Sequence, residues 1–375
     1  MSARPGLRAG AALAQLDALS DQLMAAFEGA GARRADPPAL QPAAILLDLY
    51  GEEIRNRAYL VNDPDLGEMV LRPDFTLPVL RMHLAAGGGA ARYAYRGPVW
   101  RSQAAGSGRP VEHRQLGIEI FDGTAAETDA ELFALVAGLL GASTIQVETG
   151  DMGVLVDAVA GLETAAHRRD ALRRHLWRPA RFRALLHAFG AGHAAMAAAR
   201  APLLEAVARQ GADAVMAQAG RPIGLRDAAE VTERLGWLDQ EARTAPLKPD
   251  QVAGLEALLA VSAPMGEACV QLRALSRDIA GLRPAIARIE ARMSALDRLG
   301  VEAASLPFAS SFGRSSMEYY DGFVFGFSDP ARPGLPAIAT GGRYDGLAAR
   351  LGAAALPAIG AVIRPETLLA LADPA

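Results

Sequence analysis

From about Leu155 to Leu299 the chain is written almost wholly in Ala, Leu, Arg and Glu, with few β-branched residues. Such a run favours helices in series. On either side the texture changes to short apolar runs broken by Gly, Pro and Asp, the pattern of strands and turns. A sheet domain interrupted by a helical segment is therefore expected, with residues 1–155 and 300–375 in the sheet domain and 156–299 in the helical insertion. The fold class expected is α+β, a mixed or antiparallel sheet flanked by helices. At a prior of roughly 150 residues per domain, 375 residues suit this division.

An amphipathic helix opens the chain, with Leu13, Leu16, Leu19, Leu23 and Phe27 on one stripe and Gly29 and Gly31 closing it. Strands are predicted over Arg57 to Val61, Glu68 to Arg72, Arg92 to Arg101 and Glu112 to Phe121, and helices near Thr76 to Ala86 and Ala125 to Leu140. Beyond the helical segment, strands are predicted at Met317 to Phe327, Pro336 to Thr340 and Ala358 to Ile363, with helices near Tyr344 to Leu351 and from Pro365.

Composition removes several function classes. With 51% apolar and 21% charged residues, disorder over most of the chain is excluded. Thirty-eight basic residues against 42 acidic ones give a net charge of -4, so no global positive field draws a nucleic-acid backbone, and no nucleic-acid partner is expected. Cys269 is the only cysteine, which removes structural disulfides, thiolate zinc sites and iron–sulfur clusters. Lys248 is the only lysine and sits between Pro246 and Pro249, which argues against a Walker A loop or a Schiff base. His175, His187 and His193 show no ligand spacing with acids, so no metal is expected. The sequence opens without the basic head, apolar core and cleavage site of a signal peptide, and no stretch of about 18 apolar residues occurs. A cytoplasmic protein without a membrane partner is the expectation.

The chemistry-bearing runs each admit a plain structural reading. Between Glu112 and Phe121, alternation places Leu116, Ile118 and Ile120 on one face and Gln115, Gly117 and Glu119 on the other. Two polar groups flanking a glycine suit a small polar ligand lying against the backbone; a solvent-exposed polar face would read the same way. In Leu71-Arg72-Pro73-Asp74-Phe75-Thr76, Asp74 or Thr76 suits a helix N-cap. Tyr95 to Arg101 ends on an arginine, and Gly106 to Pro110, containing Arg109, follows as a basic loop. Arginine forks suit carboxylate or phosphate, and a solvated hairpin has the same pattern. Met317 to Gly322 and Thr340 to Leu347 complete the set, the double glycine before Arg343-Tyr344-Asp345 permitting close backbone approach or a tight turn.

In order and spacing these runs resemble the catalytic domain of class II histidyl-tRNA synthetases, which has an LRPE-G-T run, a Y-x-G-x-x-FR motif ending in Q-x-G-x-E, a DYY run and a GGRYDxL motif. The resemblance implies a class II synthetase-like fold and a histidine site. Asp74, Thr76 and Gln115 match residues that hold the ligand's α-amino group, and Glu119 with Tyr320 matches those that address the imidazole. Tyr319 and Arg101 join this implied histidine-binding set, and Arg109 is an implied phosphate or anion contact. Carboxylates suit an ammonium and an imidazole N–H, both of which offer donors.

The nucleotide half of the family pattern is eroded. Gln103 replaces an acid, Val111 an arginine, His113 the adenine-stacking aromatic, Ser315 another arginine with Arg314 one residue away, and Thr367 the arginine that closes the third motif. Each such group is worth about 3 kcal/mol of transition-state stabilisation, so loss of amino-acid activation is expected. Few residues follow Asp345, so the anticodon-binding domain of true synthetases is expected to be absent. This combination resembles the regulatory subunits of ATP phosphoribosyltransferase, a synthetase-paralogous family. The resemblance implies a non-catalytic subunit needed by a short-form catalytic partner in the first step of histidine biosynthesis, feedback by free histidine, a synthetase-like dimer within a hetero-oligomer, and no cofactor in this chain, with ATP and magnesium on the partner. The alternatives are a histidyl-tRNA synthetase-like enzyme, or a binding module that senses histidine or tRNA. The basic series Arg168, Arg169, Arg173, Arg174, Arg178, Arg181 and Arg183 is read as a solvated helical face paired with acids elsewhere, with a nucleic-acid or partner surface as the alternative.

Overall fold

The structure is a computed structural model that describes residues 9–45, 49, 56–104, 110–141, 145–219, 227–314 and 319–372. Helix α1 (Gly10–Gly29) leads into β1 (Arg33–Arg34), β2 (Leu40–Pro42), β3 (Leu60–Asp63) and β4 (Gly67–Leu71). Then come α2 (Thr76–Ala85), the long hairpin β5 (Arg92–Trp100) and β6 (Glu112–Ile120), α3 (Ala125–Leu140) and β7 (Gln146–Asp151). The helical stretch holds α4 (Met152–Ala160), α5 (Ala166–Arg174), α6 (Pro179–Phe189), α7 (His193–Gln210), α8 (Ala212–Gln218), α9 (Ala228–Arg243) and α10 (Pro249–Ala260). After it follow β8 (Ser262–Pro264), α11 (Met265–Leu275), α12 (Leu282–Arg298), β9 (Pro307–Ala309), β10 (Phe323–Ser328), β11 (Ala339–Arg343), α13 (Leu347–Arg350), β12 (Ile359–Ile363) and α14 (Pro365–Ala372).

The main sheet has nine strands in the order β1-β5-β6-β12-β11-β10-β7-β9-β8, and β2-β4-β3 form a smaller one. In the main sheet β1 runs parallel to β5 and β7 parallel to β9, and the other pairs are antiparallel. This is the mixed sheet flanked by helices expected of an α+β fold.

Leu116, Ile118 and Ile120 are buried in one core cluster with Leu23 and Phe27 of α1 and Phe133 and Val136 of α3. Around Phe133, the rings of Phe323, Phe325 and Phe327 pack at centroid distances of 6.1, 5.4 and 5.6 Å. The apolar half of the β6 alternation is thus the back of the sheet, which frees Gln115 and Glu119 for the opposite face.

Within the span expected as a helical insertion, β8 pairs with β9 in the main sheet, and α12 packs along α3. Arg292 of α12 is buried and donates to Asp129 at 2.8 Å and to Asp151 at 2.6 Å. Arg343 of β11 donates to the other oxygen of Asp129 at 2.7 Å, which ties α12, α3 and the sheet together. Local signals set the ends of the helices: Asp227 and Glu230 form a reciprocal capping box at α9, and prolines start α6 and α10.

Several expectations need correction: the strand predicted over Arg57 to Val61 runs from Leu60 to Asp63, and that over Pro336 to Thr340 runs from Ala339 to Arg343. The strand predicted over Met317 to Phe327 runs from Phe323 to Ser328, and the first of its expected residues, 317–318, lie outside the described residues. Asp321 accepts the backbone N–H groups of Asp345 and Gly346 at 3.0 and 2.6 Å, so the tyrosine run before it is a loop pinned to the next turn. Nor is the arginine series wholly a solvated face. Arg168 is fully buried, donates to Glu241 at 2.7 Å and to the carbonyl of Ala245 at 2.6 Å, and joins α5 to α9, with His167 on the same carboxylate at 2.6 Å.

Candidate functional site

Asp74, Thr76, Arg101, Gln115, Glu119, Tyr319 and Tyr320, named from the sequence, all line one cavity of about 200 Å³. Strand β6 supplies Gln115 and Glu119, the turn into α2 supplies Asp74 and Thr76, Arg101 follows β5, and the loop before β10 brings the two tyrosines. Arg109 lies outside the described residues. The turn residues do not act as helix caps: Phe75 precedes α2, and no side chain caps that end.

Glu119 is the centre of the arrangement. It is 1% exposed, and its Oε1 accepts from the Thr76 hydroxyl at 2.9 Å and the Tyr95 hydroxyl at 3.1 Å. The Tyr344 hydroxyl donates to Oε2. Burial pushes the Glu119 carboxyl up from 4.5 to about 7; the three hydroxyl donors oppose the rise and the nearby Asp74 adds to it. The carboxyl thus titrates near the ordinary imidazole value of about 6.5.

Close packing places this group. On β12, directly opposite Glu119 in register, a Cβ at Gly360 would stand 1.6 Å from Oε2. The other glycine corrects an expectation. A Cβ at Gly117 would lie 2.3 Å from the Tyr95 hydroxyl oxygen, so the tyrosine, rather than a ligand, occupies the gap beside that backbone. Tyr95 is held in turn by Phe75, stacked on it at 4.4 Å, and Phe75 carries the Arg72 guanidinium on its other contacts at 3.9 Å.

Sequence reasoning missed Tyr95, Tyr344 and Arg364. The first two sit inside motifs whose other members were named, and their role follows only from the cross-strand arrangement of β5, β6 and β11. Arg364 leaves the end of β12 and lines the cavity beside the predicted set. Arg314, weighed as a substitute for the arginine missing at Ser315, does not line the cavity. Its Nε donates to the Leu176 carbonyl at 2.7 Å and its guanidinium packs on Phe182 at 5.0 Å. Gln115 is 1% exposed, and its Nε2 has no hydrogen-bond partner among the described residues. A buried amide left in this state marks a place for a ligand's polar atom.

A family model described as histidyl-tRNA synthetase matches residues 10–245 and 235–368, and the fold is accordingly of the histidyl-tRNA synthetase-like class. An ATP phosphoribosyltransferase regulatory subunit of Brucella canis is 31% identical over 366 residues, covering 89% of this chain and 92% of that protein. Among solved structures, a Bacillus halodurans protein described as an ATP phosphoribosyltransferase regulatory subunit/histidyl-tRNA synthetase superposes with a TM-score of 0.67 at 20% identity, over 100% of this chain and 84% of that one. A histidyl-tRNA synthetase from Nostoc sp. gives 0.61 at 16% identity, over 99% and 74%; these two structures establish the shared fold. The chain belongs to the family of ATP phosphoribosyltransferase regulatory subunits.

Proposed function

We propose that this chain is the non-catalytic, histidine-sensing subunit of an ATP phosphoribosyltransferase: it supports the activity of a short-form catalytic subunit in the cytoplasm and transmits feedback by free histidine. The observation that carries the reading is the buried Glu119 carboxyl at the centre of a cavity that also holds Asp74, Gln115 and Tyr320. A carboxyl pushed up to about 7 shares a proton readily with an imidazole, so a bound imidazole ring is held either as imidazolium on carboxylate or as neutral ring on neutral acid. The Asp74 carboxylate and the side-chain oxygen of Gln115 suit the ammonium of the same ligand. The cavity volume falls below the about 300–1,000 Å³ of ordinary drug-sized pockets, which favours one amino acid over an aminoacyl nucleotide.

Feedback requires histidine to bind two states of the complex unequally. In this reading ATP and magnesium belong to the catalytic partner, this chain binds no cofactor, and it pairs with a second copy as synthetases do. The test is the rate of phosphoribosyl-ATP formation by a short catalytic subunit from the same source, with and without this chain, across a histidine titration. The expected result is a rate that rises on adding the chain and falls with histidine only in its presence, with Glu119→Gln shifting the inhibition curve to higher histidine. A partner rate indifferent to this chain overturns the reading, and histidine-dependent ATP–pyrophosphate exchange by the chain alone would favour a synthetase-like enzyme.

A further inference from the structure

Arg101 and Arg364 line the cavity that Glu119 and Asp74 also line, and among the described residues neither arginine has a carboxylate within ion-pair distance. Each is anchored through one nitrogen to a backbone carbonyl: Arg101 Nε donates to Pro73 at 2.8 Å, and Arg364 Nη1 donates to Ala337 at 2.7 Å. The remaining guanidinium donors of both have no protein partner among the described residues. Three buried arginines are matched differently. Arg292 and Arg343 meet Asp129, Asp151 and Asp345, and Arg72 is satisfied by two carbonyls.

Both arginines are half-buried, and partly desolvating two like charges in one cavity without a counter-charge is costly. Burial and the Arg101 charge press the Arg364 guanidinium down to about 10, and burial with both arginines presses His113 down to about 3. Two guanidiniums without an ion-pair partner among the described residues thus stand in one cavity, and an anion with planar oxygens is what two forks match.

We propose that Arg101 and Arg364 form a carboxylate clamp that makes this cavity selective for a free α-amino acid over its amide, ester or alcohol. The inference rests on the reading that the cavity holds histidine and adds the group that decides which form of it binds. The α-carboxylate neutralises the arginine wall, Asp74 and Gln115 take the ammonium, and Glu119 takes the ring. An amide leaves the arginine pair facing a neutral group, so the two guanidiniums keep no counter-charge from the ligand.

The test is calorimetric titration of the full chain, wild type, Arg364→Met and Arg364→Lys, with L-histidine and with L-histidinamide, thermal melting confirming that each variant folds. Wild type is expected to bind histidine about 10- to 100-fold more tightly than histidinamide, the range for losing a charged hydrogen bond. Arg364→Met is expected to lose most of that ratio by weakening histidine alone, and Arg364→Lys to retain part of it. Equal binding of both ligands by wild type, or equal weakening of both by Arg364→Met, overturns the clamp and leaves the histidine reading standing. No binding of histidine to wild type overturns both.

Discussion

The indole Nε1 of Trp177 donates a 3.2 Å hydrogen bond to the backbone carbonyl of Tyr320. Trp177 lies between α5 and α6, so one residue of the helical stretch grips the loop that carries the cavity's two tyrosines. Replacing it as Trp177→Phe keeps most of the ring packing and removes the donor. A net contribution of about 1 kcal/mol predicts histidine binding about fivefold weaker by calorimetry. An unchanged affinity would show that the bonds of Asp321 to Asp345 and Gly346 hold this loop without help.

Glu119 makes stability depend on pH in a defined direction. Its folded pKa lies above the unfolded value, so its contribution is fully present below about 4.5 and is lost as pH rises through about 7. The shift corresponds to about 3 kcal/mol. Asp321, raised to about 6 by burial and by Asp345, slopes the same way, whereas His113, pressed down to about 3, slopes oppositely at acid pH. Comparing wild type with Glu119→Gln isolates one group: the difference in denaturation free energy is expected to change by about 3 kcal/mol between pH 4 and pH 8.5. A pH-independent difference would mean that the carboxyl titrates alike in the folded and unfolded chain.

Gly360 is predicted to tolerate no side chain. Its missing Cβ would stand 1.6 Å from Glu119 Oε2, so Gly360→Ala drives the carboxyl from its hydroxyl cage. Overpacking of this kind costs about 1–3 kcal/mol. Loss of histidine binding is expected with the chain still folded, to be read by calorimetry alongside circular dichroism.

Asp129 sits between Arg292 and Arg343, whose charges oppose the upward push that burial exerts on its carboxyl. Asp129→Asn leaves two buried guanidiniums short of a partner and is predicted to cost about 3–5 kcal/mol, measured as a lower denaturant midpoint at constant slope. Added salt is expected to change the loss little, because these groups are screened far less than surface pairs.

Much of the site was legible because strand alternation and motif order are local properties. Leu116, Ile118 and Ile120 declared the buried face of β6, and this put Gln115 and Glu119 on the other. Tyr95 was harder to read, since its hydroxyl meets Glu119 only after β5 and β6 pair with Tyr95 opposite Gly117. Arg364 was harder still, because its approach to the cavity depends on β12 entering the sheet beside β6. The burial of Arg168 was hidden in a run of like residues, where composition describes the average and one acid on a distant helix, Glu241, decides the exception.

The position of β12 also bears on how the molecule assembles. This strand is among the last segments of the chain yet lies inside the sheet, between β6 and β11, with Glu119 paired to Gly360. Contacts so distant in sequence form slowly, because the loop-closure entropy comes first. Before β12 arrives, β6 and β11 are not neighbours, and Glu119 and Tyr344 have no means of meeting. Until β12 is in place the folding chain therefore carries nearly all the residues of the cavity without having the cavity, and the enclosure around Glu119 closes only when that strand enters the sheet.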